Sequence, residues 1–174
     1  GFNGRTVTVV DARGSNRVFY LNYSGAGVEG LTIKNGDTTM DGGGVYGPSN
    51  NFIRNCLIIS NRCDWDGGGA FLNRGGLVED CTFFANRVDY IGSGYGGGGL
   101  CLRYTGTVRR TVICSNLSFY SAGGVYALVG RIENCTIVSN VATYNAGGVH
   151  IEDRSCIRES VVEYNGCNYG GGGI

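Results

Sequence analysis

Short apolar segments alternate with polar turns and glycine runs along the chain, and the pattern repeats at a nearly constant interval. Each unit places an aliphatic residue, a small residue or cysteine, a second aliphatic residue or Phe, and an asparagine at fixed spacings. One example is the set Ile53, Cys56, Ile58 and Asn61. The β-branched residues and the alternation of apolar and polar positions predict a short strand. A second strand is predicted directly after each glycine run.

The asparagine that closes the first half of each unit recurs at nearly equal steps, with one longer step between the second and third copies. Its copies are Asn61, Asn86, Asn116, Asn140 and Asn165. The longer step predicts an insertion of five residues between positions 86 and 100. A period of this length is typical of solenoids and related arrays. No segment shows a sustained helical period, and the frequent glycines disfavour helices.

These features predict an all-β fold, a right-handed parallel β-helix of about seven rungs of about 25 residues. Two or three short strands per unit cannot bury an apolar face alone, whereas stacked units bury a continuous core. We expect one domain over residues 1–174, with an irregular first rung at 1–24 and regular rungs at 25–174. Because the repeat is cut at both ends, the chain is expected to be a segment of a longer protein.

Two columns of equivalent positions have patterns that favour structural roles. Stacked asparagines can bond to one another through their amides, and asparagine tolerates left-handed backbone where a strand gives way to a turn. A second column, predicted to point outward, alternates in charge from rung to rung, which pairs opposite signs and disfavours a slip of one rung. Its members are Glu29, Arg54, Glu79, Arg109, Glu133 and Arg158.

Two aromatic-rich columns flank the glycine runs and are candidate contacts for glycans or a partner, since stacked rings can face sugars. Alternatively, the rings cover bare glycine backbone and stack on each other. The column before the glycines contains Met40, Trp65, Tyr95, Tyr120, Tyr144 and Tyr169, with Tyr90 competing for the place of Tyr95. The column after them contains Tyr46, Phe71, Cys101, Tyr126 and His150, and its side chains are expected to point outward.

The eight cysteines divide into two groups. Cys56, Cys81 and Cys135 share the inward column and are predicted to act as small apolar core residues. The remainder are assigned to outward or turn positions, where disulfide pairing cannot be deduced. They are Cys63, Cys101, Cys114, Cys156 and Cys167.

Charge and composition narrow the classes of function. The 14 basic and 14 acidic residues cancel, which argues against a nucleic-acid partner or an anionic membrane. No apolar run is long enough for membrane insertion. The chain has one lysine, Lys34, and one histidine, His150, so few bases are available for catalysis. No cofactor is predicted, and no catalytic constellation is evident.

Two kinds of weaker site remain. The aspartates Asp64 and Asp66, with Asp37 and Asp41 one rung earlier, could hold Ca²⁺ in a surface turn, or they are solvated turn residues. Sequons for N-glycosylation place candidate acceptors at Asn134 and Asn22. A third sequon begins at Asn116, which belongs to the asparagine column and is therefore a poor acceptor.

Each glycine pair is followed by Val, Ala, Leu or Ile, and Ile, Val or Phe stands three positions before the asparagine. This combination resembles the repeats of the polymorphic outer membrane proteins. The segment FFAN at residues 83–86 matches the strict form of that motif. More broadly, the chain resembles right-handed parallel β-helix repeat proteins of bacterial surfaces. The resemblance covers about residues 25–174 and implies a secreted, cell-surface or adhesive role.

The sequence therefore predicts a non-enzymatic, extracellular or cell-surface rod with a structural or adhesive role. Open strand edges and aromatic columns suggest self-association, end to end or side by side, and formation of a filament. The alternatives are a polysaccharide lyase or hydrolase, and a module that binds surface glycans on the same fold.

Overall fold

Each repeat unit forms one turn of a parallel β-helix that contains four short strands. The computed structural model describes residues 8–89 and 94–174. Residues 1–7, in the predicted irregular rung, and residues 90–93, in the predicted insertion and including Tyr90, lie outside the described residues. Every strand pairs in parallel with its equivalents one turn away, so the strands build four long sheets. The prediction of an all-β parallel β-helix is confirmed.

We number the sheets in the order in which one turn visits them, starting after the glycine run. Sheet 1 contains Phe19–Tyr20, Val45–Gly47, Ala70–Leu72, Leu100–Leu102, Val125–Ala127 and Val149–Ile151. Sheet 2 contains Gly27–Glu29, Asn51–Arg54, Gly76–Glu79, Thr107–Arg109, Arg131–Glu133 and Cys156–Arg158. Sheet 3 contains Val9–Asp11, Thr32–Lys34, Leu57–Ile59, Thr82–Phe84, Val112–Cys114, Thr136–Val138 and Val161–Glu163. Sheet 4 contains Asp37–Thr38, Arg62–Cys63, Arg87–Val88, Leu117–Ser121, Val141–Tyr144 and Gly166–Cys167.

The strand count per turn differs from the prediction of two or three. The segment predicted as one strand is split between sheets 2 and 3 by a residue with positive φ, such as Asn55 at 46° or Asp80 at 54°. A second such residue directly precedes the column asparagine, as at Ser60 with a φ of 56°, and bends the chain into sheet 4. Left-handed residues therefore make the corners, and the column asparagines themselves do not. Sheets 1, 2 and 4 have six strands each, so the described chain makes about six turns and not seven.

Strand register reproduces the unequal steps of the sequence repeat. Ala70 pairs with Val45 in the preceding turn and with Leu100 in the following turn, and the second partner is the more distant in sequence by five positions. The five additional residues therefore leave the pairing of sheet 1 unchanged. They are accommodated in the turn between sheets 4 and 1.

Aliphatic side chains from sheets 1, 2 and 3 fill the interior of the helix in unbroken columns. In sheet 3 the inward column is fully buried from Ile33 through Phe83 to Ile137. Each such side chain contributes about 1.5–3 kcal/mol through burial. Cys56, Cys81 and Cys135 are also buried in this core, as expected. Cys63 and Cys101 are fully buried as well, although the sequence pattern assigns them to outward or turn positions. Cys101 does point outward, but it is covered there in a second apolar cluster.

A chain of side-chain amides runs parallel to the axis beside the core. The Nδ2 atom of Asn86 donates to Oδ1 of Asn116 at 3.0 Å, and Nδ2 of Asn116 donates to Oδ1 of Asn140 at 2.9 Å. The same bonds link Asn61 to Asn86 and Asn140 to Asn165, both at 3.0 Å. Each Nδ2 also donates to a main-chain carbonyl, so these buried amides are satisfied.

The alternating charges lie one above another on sheet 2, with Glu79 paired in register with Arg54 and Arg109. Ion pairs form around Glu79: its carboxylate is 3.4 Å from Nε of Arg54 and 2.8 Å from Nη2 of Arg109. Arg110 contacts the same carboxylate, and Arg110 and Arg109 lower the pKa of Glu79. Within the described residues, no ion pair joins the other neighbours of the column, so the interaction is concentrated at one position. Those neighbours are Glu29 with Arg54, Arg109 with Glu133, and Glu133 with Arg158.

Glycines before sheet 1 allow successive turns to approach closely. A β-carbon on Gly123 would lie 2.4 Å from the carbonyl oxygen of Val141 in the next turn. At Gly98 it would lie 2.4 Å from the carbonyl oxygen of Leu117. Any side chain at these positions would force the turns apart, which explains the glycine column by close approach of the backbone.

Candidate functional site

The outer face of sheet 1 carries the aromatic column that follows the glycines. Phe71 is 0% exposed and Tyr126 is 1% exposed, so the expectation that this column is a surface stripe is wrong for both. They pack with Cys101 and Ala122 in a second apolar cluster, against which Tyr95 is placed. The Tyr95 ring lies 5.0 Å from the Tyr126 ring. The turn before sheet 1 therefore folds over this face and covers it.

At the N-terminal part of the same column, the rings remain partly accessible. Tyr20 stacks on Tyr46 at 5.0 Å, and Tyr46 stacks on Phe71 at 5.4 Å. The guanidinium group of Arg17 lies over the Tyr46 ring at 5.0 Å and donates to the carbonyl oxygen of Asp41 at 2.7 Å. Arg17 thus links the aromatic column to the turn that carries Asp41.

A groove of about 390 Å³ opens where the covering turns of consecutive rungs meet the face of sheet 1. Its lining combines an indole, a phenol ring, two carboxylates and a guanidinium group, and the Trp65 side chain is 45% exposed. We call it the Trp65 groove. It is lined by Met40, Asp41, Trp65, Asp66, Gly94, Tyr95 and Arg103.

Asp66 forms the polar floor of the Trp65 groove and is only 4% exposed. Its Oδ1 atom accepts hydrogen bonds from the backbone N–H groups of Tyr95 at 2.8 Å and Gly96 at 2.7 Å. Asp41 repeats the arrangement one turn earlier, since its Oδ1 accepts from the N–H of Asp66 at 3.2 Å. The two aspartates therefore hold the turns that carry the aromatic walls.

Both carboxyl groups hold a proton more readily than ordinary aspartates. Burial raises the pKa of Asp66 to about 6, and the neighbouring charge of Asp41 adds to the rise. Burial likewise raises the pKa of Asp41. The charge of Arg103 acts in the opposite direction on both groups, but its guanidinium group lies on the Tyr95 ring at 4.9 Å. Within the described residues, neither carboxylate forms an ion pair.

The remaining tyrosines of the column before the glycines form a separate stack. Tyr144 lies 5.9 Å from Tyr120 and 5.1 Å from Tyr169, and the Tyr144 and Tyr169 side chains are exposed. The column predicted as one stripe thus divides in two, because Tyr95 turns toward Tyr126. We call the second part the tyrosine stack.

The weak calcium candidates do not converge. Asp64 pairs with Arg62 at 2.9 Å, and Arg62 also binds Asp37 and Asp89, each at 2.5 Å. Asp66 instead faces the Trp65 groove. Within the described residues, no group of three acidic, histidine or cysteine side chains could hold a metal ion. The proposed pair of Asp64 and Asp66 is therefore wrong as a calcium site.

The candidate glycosylation acceptors Asn134 and Asn22 are both exposed, whereas Asn116 is buried in the amide column. Acceptor side chains must reach solvent, so this placement is compatible with a glycan at Asn134 or Asn22 and excludes one at Asn116 in the folded chain. Attachment itself stays a prediction.

Sequence reasoning missed a contact between Ser121, His150 and Glu152. The Ser121 hydroxyl lies 2.5 Å from Nδ1 of His150, and Nε2 of His150 lies 3.3 Å from the Glu152 carboxylate. These residue types could supply a nucleophile, a base and an orienting acid. Ser121 is 1% exposed, however, so a substrate could not reach its hydroxyl. The contact therefore ties sheet 4 to sheet 1.

In the described part of the chain, no helix has the length and apolar character needed to cross a bilayer.

Three comparisons with known proteins place the chain. No curated protein and no solved structure matched the sequence. A family model, described as the right handed beta helix region, matches residues 3–173. The parallel sheets and this match over nearly the whole sequence show that the chain belongs to the right-handed β-helix family.

Proposed function

We propose that this chain is a non-enzymatic, extracellular β-helix that binds glycans in the Trp65 groove and so serves an adhesive role. One observation carries the proposal: the groove places an exposed indole beside a buried carboxylate, a half-buried carboxylate and a guanidinium group. Aromatic faces pack against the apolar faces of sugar rings, and carboxylates and guanidinium groups bind sugar hydroxyls. Concave sites with a few convergent polar groups are the usual form of ligand sites.

Replacement of Trp65 by Ala is expected to weaken oligosaccharide binding about tenfold, because the stacking surface is lost. Isothermal titration calorimetry with neutral, acidic and amine-bearing oligosaccharides measures the change. Tyr169→Ala is the matched control, since Tyr169 is an exposed ring of the same sequence column outside the groove. Loss of binding only in the control would move the site to the tyrosine stack. Absence of binding by every oligosaccharide would refute the function.

Several observations support a role without catalysis. Lys34 pairs with Asp11 at 3.4 Å, and His150 bonds to Ser121, so the single lysine and the single histidine of the chain are engaged elsewhere. The alternative is a polysaccharide lyase or hydrolase that uses Asp41 and Asp66. Shortened products in the same calorimetry samples, detected by mass spectrometry and lost in Asp66→Asn, would establish that alternative.

We further propose that the repeats are of the type found in polymorphic outer membrane proteins, supported by the FFAN segment at residues 83–86. In the structure, Phe83 fills the core and Asn86 belongs to the amide column. The motif thus combines one core residue with one amide of the column. A location at the cell surface would follow from this kinship.

Self-association through the tyrosine stack is a second proposal, since Tyr144 and Tyr169 expose stacked rings side by side. We expect the double variant Tyr144→Ser, Tyr169→Ser to shift the protein toward monomer in sedimentation velocity, because burial of the rings drives association. Tyr164→Ser is the control, as Tyr164 is more exposed but lies outside the stack. Equal sedimentation of all three proteins at high concentration would disprove lateral association through this stack.

A further inference from the structure

The Trp65 groove contains an acidic site that has no ion-pair partner among the described residues. Asp66 is almost fully buried, and only its Oδ1 atom accepts hydrogen bonds from described residues. Its side chain lines the groove, so Oδ2 is available to a ligand. Asp41 lines the same groove one turn away, and likewise uses Oδ1 for a backbone N–H. Buried carboxylates in proteins are usually paired, so this arrangement is costly without a ligand.

The cations nearest to these carboxylates are held by other groups. Arg103 lies 4.9 Å from the Tyr95 ring and 5.7 Å from the Tyr104 ring, and it pairs with no carboxylate of the described chain. Arg17 binds the backbone carbonyl of Asp41 and the Tyr46 ring. The charges of Arg103 and Arg17 lower the pKa of Asp41, and the charge of Arg103 lowers that of Asp66. Burial outweighs these charges, so the pKa of each carboxyl group remains raised. The groove thus has room and charge for a cation.

The indole of Trp65 also lines the groove. Trp65 and Met40 line the same groove as the two carboxylates, and both side chains are exposed. The face of tryptophan attracts ammonium groups more strongly than the face of any other side chain. An ammonium group at the floor could therefore bind a carboxylate while a sugar ring packs against Trp65.

We propose that the Trp65 groove selects glycans that carry a free, protonated amine, with Asp66 and Asp41 as the residues that recognise the ammonium group. This inference rests on the proposed function and specifies its ligand class. A charge-assisted hydrogen bond to a buried carboxylate is stronger than a neutral one, so the amine dominates the selection. An N-acetylated sugar of the same size retains the ring but lacks the charge.

The test compares glucosamine oligomers with N-acetylglucosamine oligomers of equal length by titration calorimetry. At about pH 7 the amine form is expected to bind about tenfold more tightly. Asp66→Asn should reduce this preference to about twofold or less, and its amide oxygen can still accept the N–H bonds that hold the turn. Asp64→Asn is the matched control: Asp64 is two residues away, pairs with Arg62 and does not line the groove. Unchanged melting temperatures would show that the variants are folded.

Acidification provides an independent readout. Asp66 is ionised above its raised pKa of about 6 and protonated below it. Affinity per protonated amine should therefore fall as the pH drops from about 7 to about 5, with the protonated fraction of the sugar amine taken from a titration of the free oligomer. The N-acetyl form should bind equally at both pH values, and Asp66→Asn should abolish the pH dependence.

The outcomes separate the two proposals. Binding of both sugars with equal affinity would overturn the selection for amines while the glycan-binding function stands. Binding of neither sugar, nor of any other oligosaccharide, would overturn both. Tighter binding of a short lysine-containing peptide than of the glucosamine oligomer would overturn the glycan as the ligand and assign the site to cationic peptides.

Discussion

Replacement of Ile137 by Asp is expected to abolish the folded state. The Ile137 side chain is fully buried between Ile113 and Val162 of the adjacent turns. A carboxylate at this position would lose its water and gain no cation, since the neighbours in the column are aliphatic. The expected loss is about 5 kcal/mol or more, comparable with the total stability of a typical domain.

Circular dichroism and urea unfolding measure this effect, and limited proteolysis reports the exposed chain. Thr136→Asp is the matched control, because Thr136 precedes Ile137 in the same strand and is exposed on the opposite face. It should unfold at nearly the urea concentration of the unmodified protein. A folded Ile137→Asp protein with an unchanged transition would contradict the assignment of the inward column.

Replacement of Asn116 by Leu is expected to destabilise the protein by about 3–5 kcal/mol, because it removes the centre of the amide column. The Oδ1 atom of Asn116 accepts from the backbone N–H of Asn86 at 2.9 Å and from its Nδ2 at 3.0 Å. Its Nδ2 donates to the carbonyl of Phe83 at 3.1 Å. Leucine has a similar volume but leaves these buried groups, and Oδ1 of Asn140, with fewer partners.

Asn165→Leu provides a graded comparison in the same urea experiment. Asn165 bonds to Asn140 and to the carbonyl of Ile137, but its side chain is only half-buried, so water can replace the lost bonds. We expect a loss well below that of Asn116→Leu. Equal losses at the two positions would show that the column contributes no more at its centre than at its end.

Periodicity alone predicted the stack of turns, because parallel pairing brings residues one repeat apart into register. The one longer step of the repeat leaves the register of sheet 1 intact, since Ala70 pairs with Leu100. The pairing of Glu79 with Arg54 and Arg109 follows from the same spacing. These inferences needed only the rule that equivalent positions stack.

Burial outside the helix could not be predicted in the same way. Phe71 and Cys101 point away from the axis, where a regular solenoid meets solvent, but here the turn that carries Tyr95 covers them. The Trp65 groove was missed for a related reason. Asp41 and Asp66 approach each other because a carboxylate bonds to the backbone N–H of the next turn, and no side-chain pattern records such a bond. The shape of the turns, more than their period, determines the site.

Parallel pairing also fixes how the molecule responds to mechanical load. The hydrogen bonds between turns point along the axis, and each turn is held mainly by its two neighbours. Tension applied through the chain termini would fall on the bonds of one terminal turn at a time, which open in sequence as in a zipper. Each event would release one repeat unit, with an extended length of about 85 Å. The rod would thus yield in nearly equal increments, the longest from the turn with the five additional residues, while the turns beyond the break keep their structure.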